Sequence, residues 1–457
     1  MKNLGVQRIA LAGTSRLTDR FPVAGGRLLD ATILPVVGSR VVAALLARRN
    51  RRIMQRIREF RRFLVIPDIH IGDAVMTQTA LTALRDFFPD AEIDYVINRM
   101  VAPLIEGNPD ATRITPIFSS AQFPTPADIV TLRDIIRAGH YDLCLNFGPF
   151  LEQLDVAERR QPFVSFLTHA ATILHNEGEP GEINHFSYQY YQFVRGVLSM
   201  VARPIRESEY QGIRATVSDE AIEQARRFAG EVGLTGGGPV IMVNPDGACR
   251  FTRLPFESQA ALLGRLVADT ASDTMILMGA GHTFDGIGER LVESVPAPLR
   301  AKVRIIPRCM PLEVYAAVMD LADVFITGDT GPLHLAAARR SSRSGRHRFR
   351  NRTAVLSVFG ATAPRMSGYD SSRPGYLPAN QDAPSWCYVA GSPCRNITCL
   401  NKYFKTCATV RCFERTDVAA LAHLVTAHLS ALPERAPVSH GRRPPDPAPA
   451  PREGGTW

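Results

Sequence analysis

The chain alternates short apolar runs of strand type with segments of helical periodicity, and the series occurs twice. The first series opens with the apolar run 63–66, and the second starts after the glycines at 236–238. Such alternation predicts parallel sheets joined by crossover helices. The predicted fold class is therefore α/β, with two Rossmann-like domains whose parallel sheets face a cleft. The predicted strands are 63–66, 93–97, 142–147, 240–243, 275–278, 303–306, 324–326 and 355–359.

The length of the chain also favours two domains, because 457 residues exceed one ordinary hydrophobic core. We assign residues 62–234 to the first domain and 235–432 to the second, which includes the Cys-rich segment 387–412. Residues 1–61 are predicted to form an N-terminal extension. Residues 433–457 are dominated by proline, arginine and glycine, which predicts a disordered tail.

The net charge of +9 is concentrated in two arginine runs, at 48–62 and at 339–352. Each run predicts either contact with an anionic surface, membrane or nucleic acid, or merely a solvated basic segment. The apolar stretch 28–47 precedes the first run, but Asp30, Pro35 and Arg40 interrupt it too often for a membrane span. With no secretory signal pattern in the sequence, we expect a cytoplasmic protein in which residues 1–61 lie on an anionic membrane surface or form a loosely packed extension.

The stretch 323–338 predicts a strand, a tight turn and a helix. The turn 328–331 has the sequence Gly-Asp-Thr-Gly, and Pro332 suits the first turn of a helix. A helix that starts there directs free backbone N–H groups and its positive dipole end at the turn, which favours an anion such as phosphate. The alternative is an ordinary strand-to-helix turn capped by Asp329 or Thr330. His334 is either a donor-binding side chain or a satisfied buried histidine.

In this order, the motifs of the two halves resemble those of the family 9 glycosyltransferases, which are typified by the ADP-heptose:lipopolysaccharide heptosyltransferases. The first half carries Gly72-Asp73-Ala74-Val75, then Ala83-Leu84-Arg85 and Phe88-Pro89. The second half carries Asp-Thr-Gly-Pro-Leu-His-Leu-Ala-Ala at 329–337 and Phe-Gly-Ala-Thr-Ala-Pro at 359–364. The resemblance covers about residues 62–420.

The resemblance implies a GT-B fold and an inverting, metal-independent sugar transfer, with the acceptor on the first domain and the donor mainly on the second. The implied reaction moves a heptose-like sugar from an ADP-sugar to a lipopolysaccharide-type or other glycan acceptor, with no cofactor. Asp73 matches the catalytic base of the family; the alternative is a plain N-terminal helix residue. The implied donor-binding residues are Arg250, Arg253, Asp329, Thr330, Gly331 and His334.

The sequence departs from the family at the position of a lysine that neutralises the leaving diphosphate. Thr252 occupies that position, and Leu254 stands where a tryptophan is usual. Arg250 or Arg253 could supply the charge, since a guanidinium suits phosphate oxygens; we favour Arg253 because it is adjacent. A second departure is the basic insertion after Ala338.

Five cysteines lie between 387 and 412, and their spacing does not match a common zinc site. A structural metal, reduced thiols and a local disulfide are all compatible with this spacing, and a cytoplasmic location favours thiols. These are Cys387, Cys394, Cys399, Cys407 and Cys412.

Two other functions compete with sugar transfer. One is a non-catalytic protein that binds a nucleotide-sugar, against which the presence of Asp73 argues. The other is nucleic-acid binding through the arginine runs, against which the lack of interleaved aromatic residues argues.

Overall fold

The computed structural model describes residues 56–119, 124–148, 163–165, 183–199, 202–206, 209–234, 237–247, 249–281, 286–347, 349, 352–390 and 411–433. Within these ranges it contains two parallel sheets and one small two-stranded sheet. The α/β fold class predicted from the sequence is confirmed. No helix in these ranges combines the length and the apolar character that crossing a bilayer requires.

The first domain is built on a five-stranded sheet with the order β3-β2-β1-β4-β5, in which all neighbours are parallel. Its strands are β1 Arg62–Ile66, β2 Glu92–Asn98, β3 Arg113–Phe118, β4 Leu143–Asn146 and β5 Phe163–Ser165. Its helices are α1 Ile71–Met76, α2 Gln78–Phe87, α3 Ala102–Ile105, α4 Pro126–Gly139 and α5 Phe186–Ser199. Strand β1 lies in the middle, and four of its five residues are buried, as helices on both faces of a parallel sheet require.

The second domain is built on a six-stranded parallel sheet with the order β13-β12-β10-β7-β8-β9. The strands from β6 onward are β6 Arg214–Val217, β7 Val240–Val243, β8 Met275–Gly279, β9 Val303–Ile306, β10 Val324–Gly328, β11 Arg339–Ser342, β12 Ala354–Phe359 and β13 Ser385–Val389. The helices are α6 Asp219–Glu231, α7 Phe256–Asp269, α8 Ile287–Ser294, α9 Leu312–Met319, α10 Gly331–Ala337, α11 Pro364–Ser367 and α12 Val418–Ser430. Every residue of β10 and β12 is buried.

Two local features add to what the sequence predicts. Helix α1 begins at Ile71, so Asp73 stands in the first turn of a helix. The basic insertion after Ala338 starts as strand β11, which pairs in parallel with β6. That pairing gives the polar run 339–342 backbone partners that its side chains do not reveal.

The described part of the predicted N-terminal extension packs against the first domain. Ile57 is fully buried and Phe60 is 7% exposed, and both join the core around β1 and α2. Arg56 pairs with Glu59, and Arg62 pairs with Glu92. The first four arginines of the first run, the apolar stretch 28–47 and the tail 434–457 lie outside the described residues, as do Cys394, Cys399 and Cys407. Cys387 and Cys412 are buried.

Candidate active site

The order of the strands places two switch points where a ligand site is expected. Strand β1 is flanked by β2 and β4, and β7 is flanked by β8 and β10, so the chain reverses direction across the sheet beside β1 and beside β7. Ligands of open parallel sheets bind beyond the carboxyl ends of the strands at such points. Asp73 follows β1, and the turn 328–331 completes β10 and opens α10.

Asp73 is a partly buried carboxyl that one neighbouring phenol contacts. The Tyr190 hydroxyl donates a hydrogen bond to Asp73 Oδ1 at 3.2 Å. The Asp73 carbonyl accepts bonds from the Thr77 backbone N–H and hydroxyl, which cap the end of α1. The pKa of Asp73 is raised to about 6, mainly by burial and also by the Asp68 carboxylate, while the His70 imidazole acts in the opposite direction. A carboxyl with such a pKa is a base suited to near-neutral pH.

Asp68 and His70 form a pair in the loop that leads into α1. Asp68 Oδ1 lies 2.5 Å from His70 Nδ1 and also accepts the His70 backbone N–H at 3.2 Å. One ligand atom from each of Asp68, His70 and Asp73 lies within 4.8 Å of the other two, so these three could hold a metal ion. Because Asp68 and His70 already bond each other and Asp73 accepts from Tyr190, hydrogen bonds account for the grouping.

The two domains meet backbone to backbone beside Asp73. A Cβ placed on Gly331 would stand 2.8 Å from Ile71 Cβ and 3.3 Å from the Gly72 nitrogen. A Cβ on Gly72 would stand 2.5 Å from His334 Cδ2. Only residues without side chains permit this approach. The two motifs singled out in the sequence, one from each domain, are therefore brought together in space.

His334 lies in this contact as a buried histidine. It is 4% exposed, and its Nδ1 lies 2.8 Å from the Tyr369 hydroxyl. Burial lowers the pKa of His334 to about 4, so the imidazole is neutral near pH 7 and offers a hydrogen bond without a charge. His185 packs against Tyr369 with ring centroids 4.6 Å apart, and burial lowers its pKa to about 3.

The turn 328–331 is held by a hydrogen-bond network beneath it. Asn244 Nδ2 donates to Thr327 Oγ1 at 3.0 Å and to Thr330 Oγ1 at 3.3 Å, and the two threonine hydroxyls lie 3.0 Å apart. Asp329 Oδ1 accepts from the Ser367 hydroxyl at 3.0 Å. This network fixes the direction of the Asp329 and Thr330 side chains.

The segment after β7 carries the two arginines considered for the diphosphate. The Thr252 carbonyl lies 2.0 Å from where a Cβ on Gly328 would stand, so this segment crosses directly over the turn. Arg253 Nη1 lies 2.5 Å from Asp246 Oδ1, and its side chain is 20% exposed. Arg250 is exposed, and its guanidinium carbon lies 5.3 Å from the Phe251 ring centroid. Thr252 is buried and donates to the Cys249 carbonyl.

A cleft of about 440 Å³ opens between the domains next to these groups. We call it the interdomain cleft. One wall comes from the first domain through Arg99, Met100 and Pro103. The other comes from the carboxyl ends of β7, β8 and β9 and from α9. The residues of that second wall are Asn244, 279–281, 306–313 and Tyr315. The Tyr315 hydroxyl is buried here, and no described residue offers it a hydrogen bond.

Sequence reasoning found the two motifs that meet but missed their supports. Asp329, Thr330, Gly331 and Arg253 lie around one turn, and Asp73 lies across the interface from them. Asn244 and Asp246 follow a predicted strand, which was a usable signal. Tyr190, Tyr369 and Ser367 reach the site from distant helices or loops, and nothing in their local sequence announces it.

Comparison with known proteins agrees with this arrangement. Residues 208–394 match the family model described as glycosyltransferase family 9 (heptosyltransferase). A curated Haemophilus influenzae protein, provisionally named a glycosyltransferase, is 24% identical over 289 residues, which is 61% of this chain and 79% of that protein.

Two solved structures share the fold. The family 9 glycosyl transferase of Veillonella parvula superposes with a TM-score of 0.57 at 19% identity, covering 81% of this chain and 97% of that one. The ADP-heptose LPS heptosyltransferase II of E. coli superposes with a TM-score of 0.55 at 15% identity, covering 81% and 98%. The two superpositions show that the chain shares its fold with these proteins.

Proposed function

We propose that this chain is a glycosyltransferase of family 9 and that it moves a heptose-like sugar from an ADP-sugar to a hydroxyl of a lipopolysaccharide-type or other glycan acceptor. The match of residues 208–394 to the family model and the likeness to the curated Haemophilus influenzae protein support the proposal. We propose further that the transfer inverts the anomeric centre and uses neither metal nor cofactor. The E. coli structure named above is an ADP-heptose LPS heptosyltransferase, which supports this choice of donor and acceptor.

The observation that carries the proposal is the meeting of Asp73 with the turn 328–331 across the domain interface. A base on one domain beside a donor-holding turn on the other is the arrangement that a two-substrate transfer needs. The base must reach the acceptor hydroxyl while the sugar is held in line for attack. The raised pKa of Asp73, about 6, gives a carboxylate of useful basicity that is still ionised near pH 7.

The proposed step is a single displacement. The acceptor oxygen forms a bond to the anomeric carbon as its proton moves to the Asp73 carboxylate, and the bond from that carbon to the diphosphate breaks on the opposite side. Tyr190, which donates to Asp73 Oδ1, keeps that oxygen oriented and leaves Oδ2 for the acceptor proton. A guanidinium offsets the charge that develops on the leaving diphosphate, and we assign this role to Arg253.

We assign the nucleotide of the donor to the interdomain cleft. The cleft lies at the carboxyl ends of β7, β8 and β9, and its volume of about 440 Å³ suits a ligand of this size. The unsatisfied Tyr315 hydroxyl offers a hydrogen bond to such a ligand. Asp329 and Thr330 would contact the sugar hydroxyls at the inner end. Asp329 is unsuited to phosphate because two negative charges repel.

The test is a screen of ADP-, UDP- and GDP-linked sugars by thermal shift, followed by turnover with the best donor. A bound donor raises the melting temperature by mass action. Asp73→Asn should keep donor binding and lose about 10²–10⁴-fold of turnover, while the exposed Asp90→Asn should behave as wild type. An ADP-sugar that neither binds nor turns over would exclude the proposed donor, and an Asp73→Asn enzyme within threefold of wild type would remove Asp73 from the chemistry.

A further inference from the structure

The second arginine run, which follows Ala338, is a structural element rather than a solvated basic loop in its described part. Strand β11 opens it, and Arg340 is fully buried against Asp320 with Nε–Oδ distances of 2.7 and 2.6 Å. Arg343 continues from β11, and its backbone N–H donates to the Val217 carbonyl at the end of β6 at 2.8 Å. The sheet of β6 and β11 therefore fixes where the Arg343 side chain starts.

The Arg343 guanidinium joins the two domains. Its Nη2 donates to the Pro103 carbonyl at 2.6 Å and to Glu313 Oε1 at 2.8 Å, while Nη1 lies 2.9 Å from Glu106 Oε2. Pro103 and Glu106 belong to the α3 region of the first domain, and Glu313 opens α9 of the second. One planar group thus contacts both domains at once.

Two of these partners are parts of the interdomain cleft. Pro103 lies in its first wall and Glu313 in its second. Glu313 Oε1 also accepts the Ser218 backbone N–H at 2.7 Å, and the Thr216 hydroxyl donates to the Leu104 and Glu106 carbonyls. Both walls of the cleft are therefore hydrogen-bonded to β6 or to the residue that follows it. The Arg343 side chain, which follows β11, also bonds to each wall directly.

We propose that Arg343 is a positioning residue that sets the separation of the two cleft walls and thereby the affinity for the nucleoside diphosphate part of the donor. The inference rests on the proposed function, because it takes the interdomain cleft as the nucleotide site. Arg343 touches neither the sugar nor Asp73 in this scheme, so it acts on binding and not on the chemical step.

The chemistry of the guanidinium explains why one side chain can do this. Its donors are fixed in a rigid fork, so three acceptors hold it in one orientation. An isolated exposed ion pair contributes little, but here the ordering of a single 31% exposed side chain is shared among three contacts. A lysine carries the charge without the fork and cannot hold both walls in the same way.

The experiment measures binding of ADP, UDP and GDP by calorimetry, and donor KM and kcat, for wild type, four single variants and one double variant. Arg343→Gln should weaken binding of the preferred diphosphate about fivefold and raise donor KM to match, which corresponds to losing roughly 1 kcal/mol of charged hydrogen bonding. Its kcat should stay within twofold of wild type. Arg343→Lys and Glu106→Gln should each give part of the loss, and Arg339→Gln, at the exposed start of β11, should give none.

Unchanged diphosphate affinity in Arg343→Gln would overturn the inference, as would a loss confined to kcat. Should Arg343→Gln fail to fold, Arg343→Lys and Glu106→Gln decide, and wild-type affinity in both would also overturn it. In the double variant Arg343→Gln/Glu106→Gln, the losses should be less than additive, because both residues act through one contact. Failure of the wild type to bind any of the three diphosphates would instead count against the proposed donor, which separates the two failures.

Discussion

At the scale of single residues, the environment of Asp73 sets how the protein responds to pH. The carboxyl is withdrawn from water at the domain interface, with Asp68, His70, Tyr95, Tyr190 and Asp329 as its ionisable neighbours. Burial disfavours the ionised form and raises the pKa to about 6. A base must be ionised to act, so we expect kcat/KM to fall about tenfold per pH unit below about pH 6. A profile that is flat from pH 7 to pH 5 would contradict this assignment.

The raised pKa of Asp73 also affects the stability of the fold, which falls over the pH range in which Asp73 becomes ionised. The folded pKa exceeds the ordinary value of 3.8, so ionising Asp73 costs more in the folded chain, and wild-type stability declines as pH rises from about 4 to about 6. Asp73→Asn removes that cost. We expect its melting temperature to exceed that of wild type at pH 8 and to equal it below pH 4; calorimetric scans at both pH values check this.

Replacing Asp68 or His70 should displace the acid limb of the kcat/KM profile in opposite directions. The Asp68 carboxylate raises the pKa of Asp73 and the His70 imidazole lowers it. Asp68→Asn should therefore move the limb of kcat/KM to lower pH, and His70→Gln should move it to higher pH. Rate profiles between pH 4.5 and 8 measure both, with Asp90→Asn as the control. Displacement of both limbs in one direction would show that the pair acts through geometry and not through charge.

Arg253 is predicted to serve two partners. It neutralises the buried Asp246 at 2.5 Å and lies beside the turn where the diphosphate is proposed to sit. Arg253→Ala should lower stability by about 3–5 kcal/mol, since it leaves a buried carboxylate uncompensated, and should weaken diphosphate binding by about 1.5–3 kcal/mol. Denaturant titration and calorimetry report the two effects separately. Arg250→Ala is the comparison. If only Arg250→Ala weakens diphosphate binding, the diphosphate-binding role belongs to Arg250 and not to Arg253.

At the scale of elements, the sequence predicted the strands that are apolar because they are buried. It missed strands that are held by pairing with a distant strand. Eight strands were predicted and are confirmed, because their apolar runs lie inside parallel sheets. The described strands that were missed are β3, β5, β6, β11 and β13. Two of them differ plainly from the predicted ones, since β3 contains Pro116 at the edge of its sheet and β11 reads Arg-Arg-Ser-Ser. The partner of β11 is β6, which lies far away in the chain, and no local pattern specifies such pairing. The supports of the site were missed for the same reason.

Strand β11 makes a prediction of its own through Arg340. This side chain is fully buried and bonds both carboxylate oxygens of Asp320. Truncating Arg340 therefore leaves the buried Asp320 carboxylate without its ion-pair partner. Arg340→Ala should cost about 3–5 kcal/mol of unfolding free energy. Its exposed neighbour Arg339→Ala should stay within about 0.5 kcal/mol of wild type. Urea titrations compare them, and a loss below 1 kcal/mol for Arg340→Ala would mean that the pair is not buried in solution.

At the scale of the whole molecule, we propose that the protein works at the cytoplasmic face of a membrane, held there by its N-terminal arginines. Each basic residue near an anionic leaflet contributes roughly 1 kcal/mol, and salt screens the attraction. Because Ile57 and Phe60 belong to the core of the first domain, a fair truncation removes residues 1–55 and not more. Sedimentation with anionic vesicles should fall sharply in the truncated protein and in high salt, while donor binding persists.

The second arginine run supplies the control for that experiment. Arg340 is buried and Arg343 joins the domains, so the other described and exposed arginines of the run are the ones to replace by glutamine. These are Arg339, Arg346 and Arg352. That variant should sediment like wild type. Equal sedimentation of the truncated and whole proteins at low salt would place the membrane contact elsewhere.

The contact between Gly72 and Gly331 limits how separately the two domains can vary. Each glycine leaves room for the backbone or side chains of the other domain. A substitution at either glycine would therefore clash with residues some 260 positions away in the chain. A chimaera that joins this first domain to the second domain of a relative would inherit that requirement. It would need a residue without a side chain at both positions, together with a histidine whose ring fits over Gly72. The two domains of this protein are therefore not interchangeable modules. A chimaera made to change the choice of donor must keep Gly72, Gly331 and His334 compatible with one another.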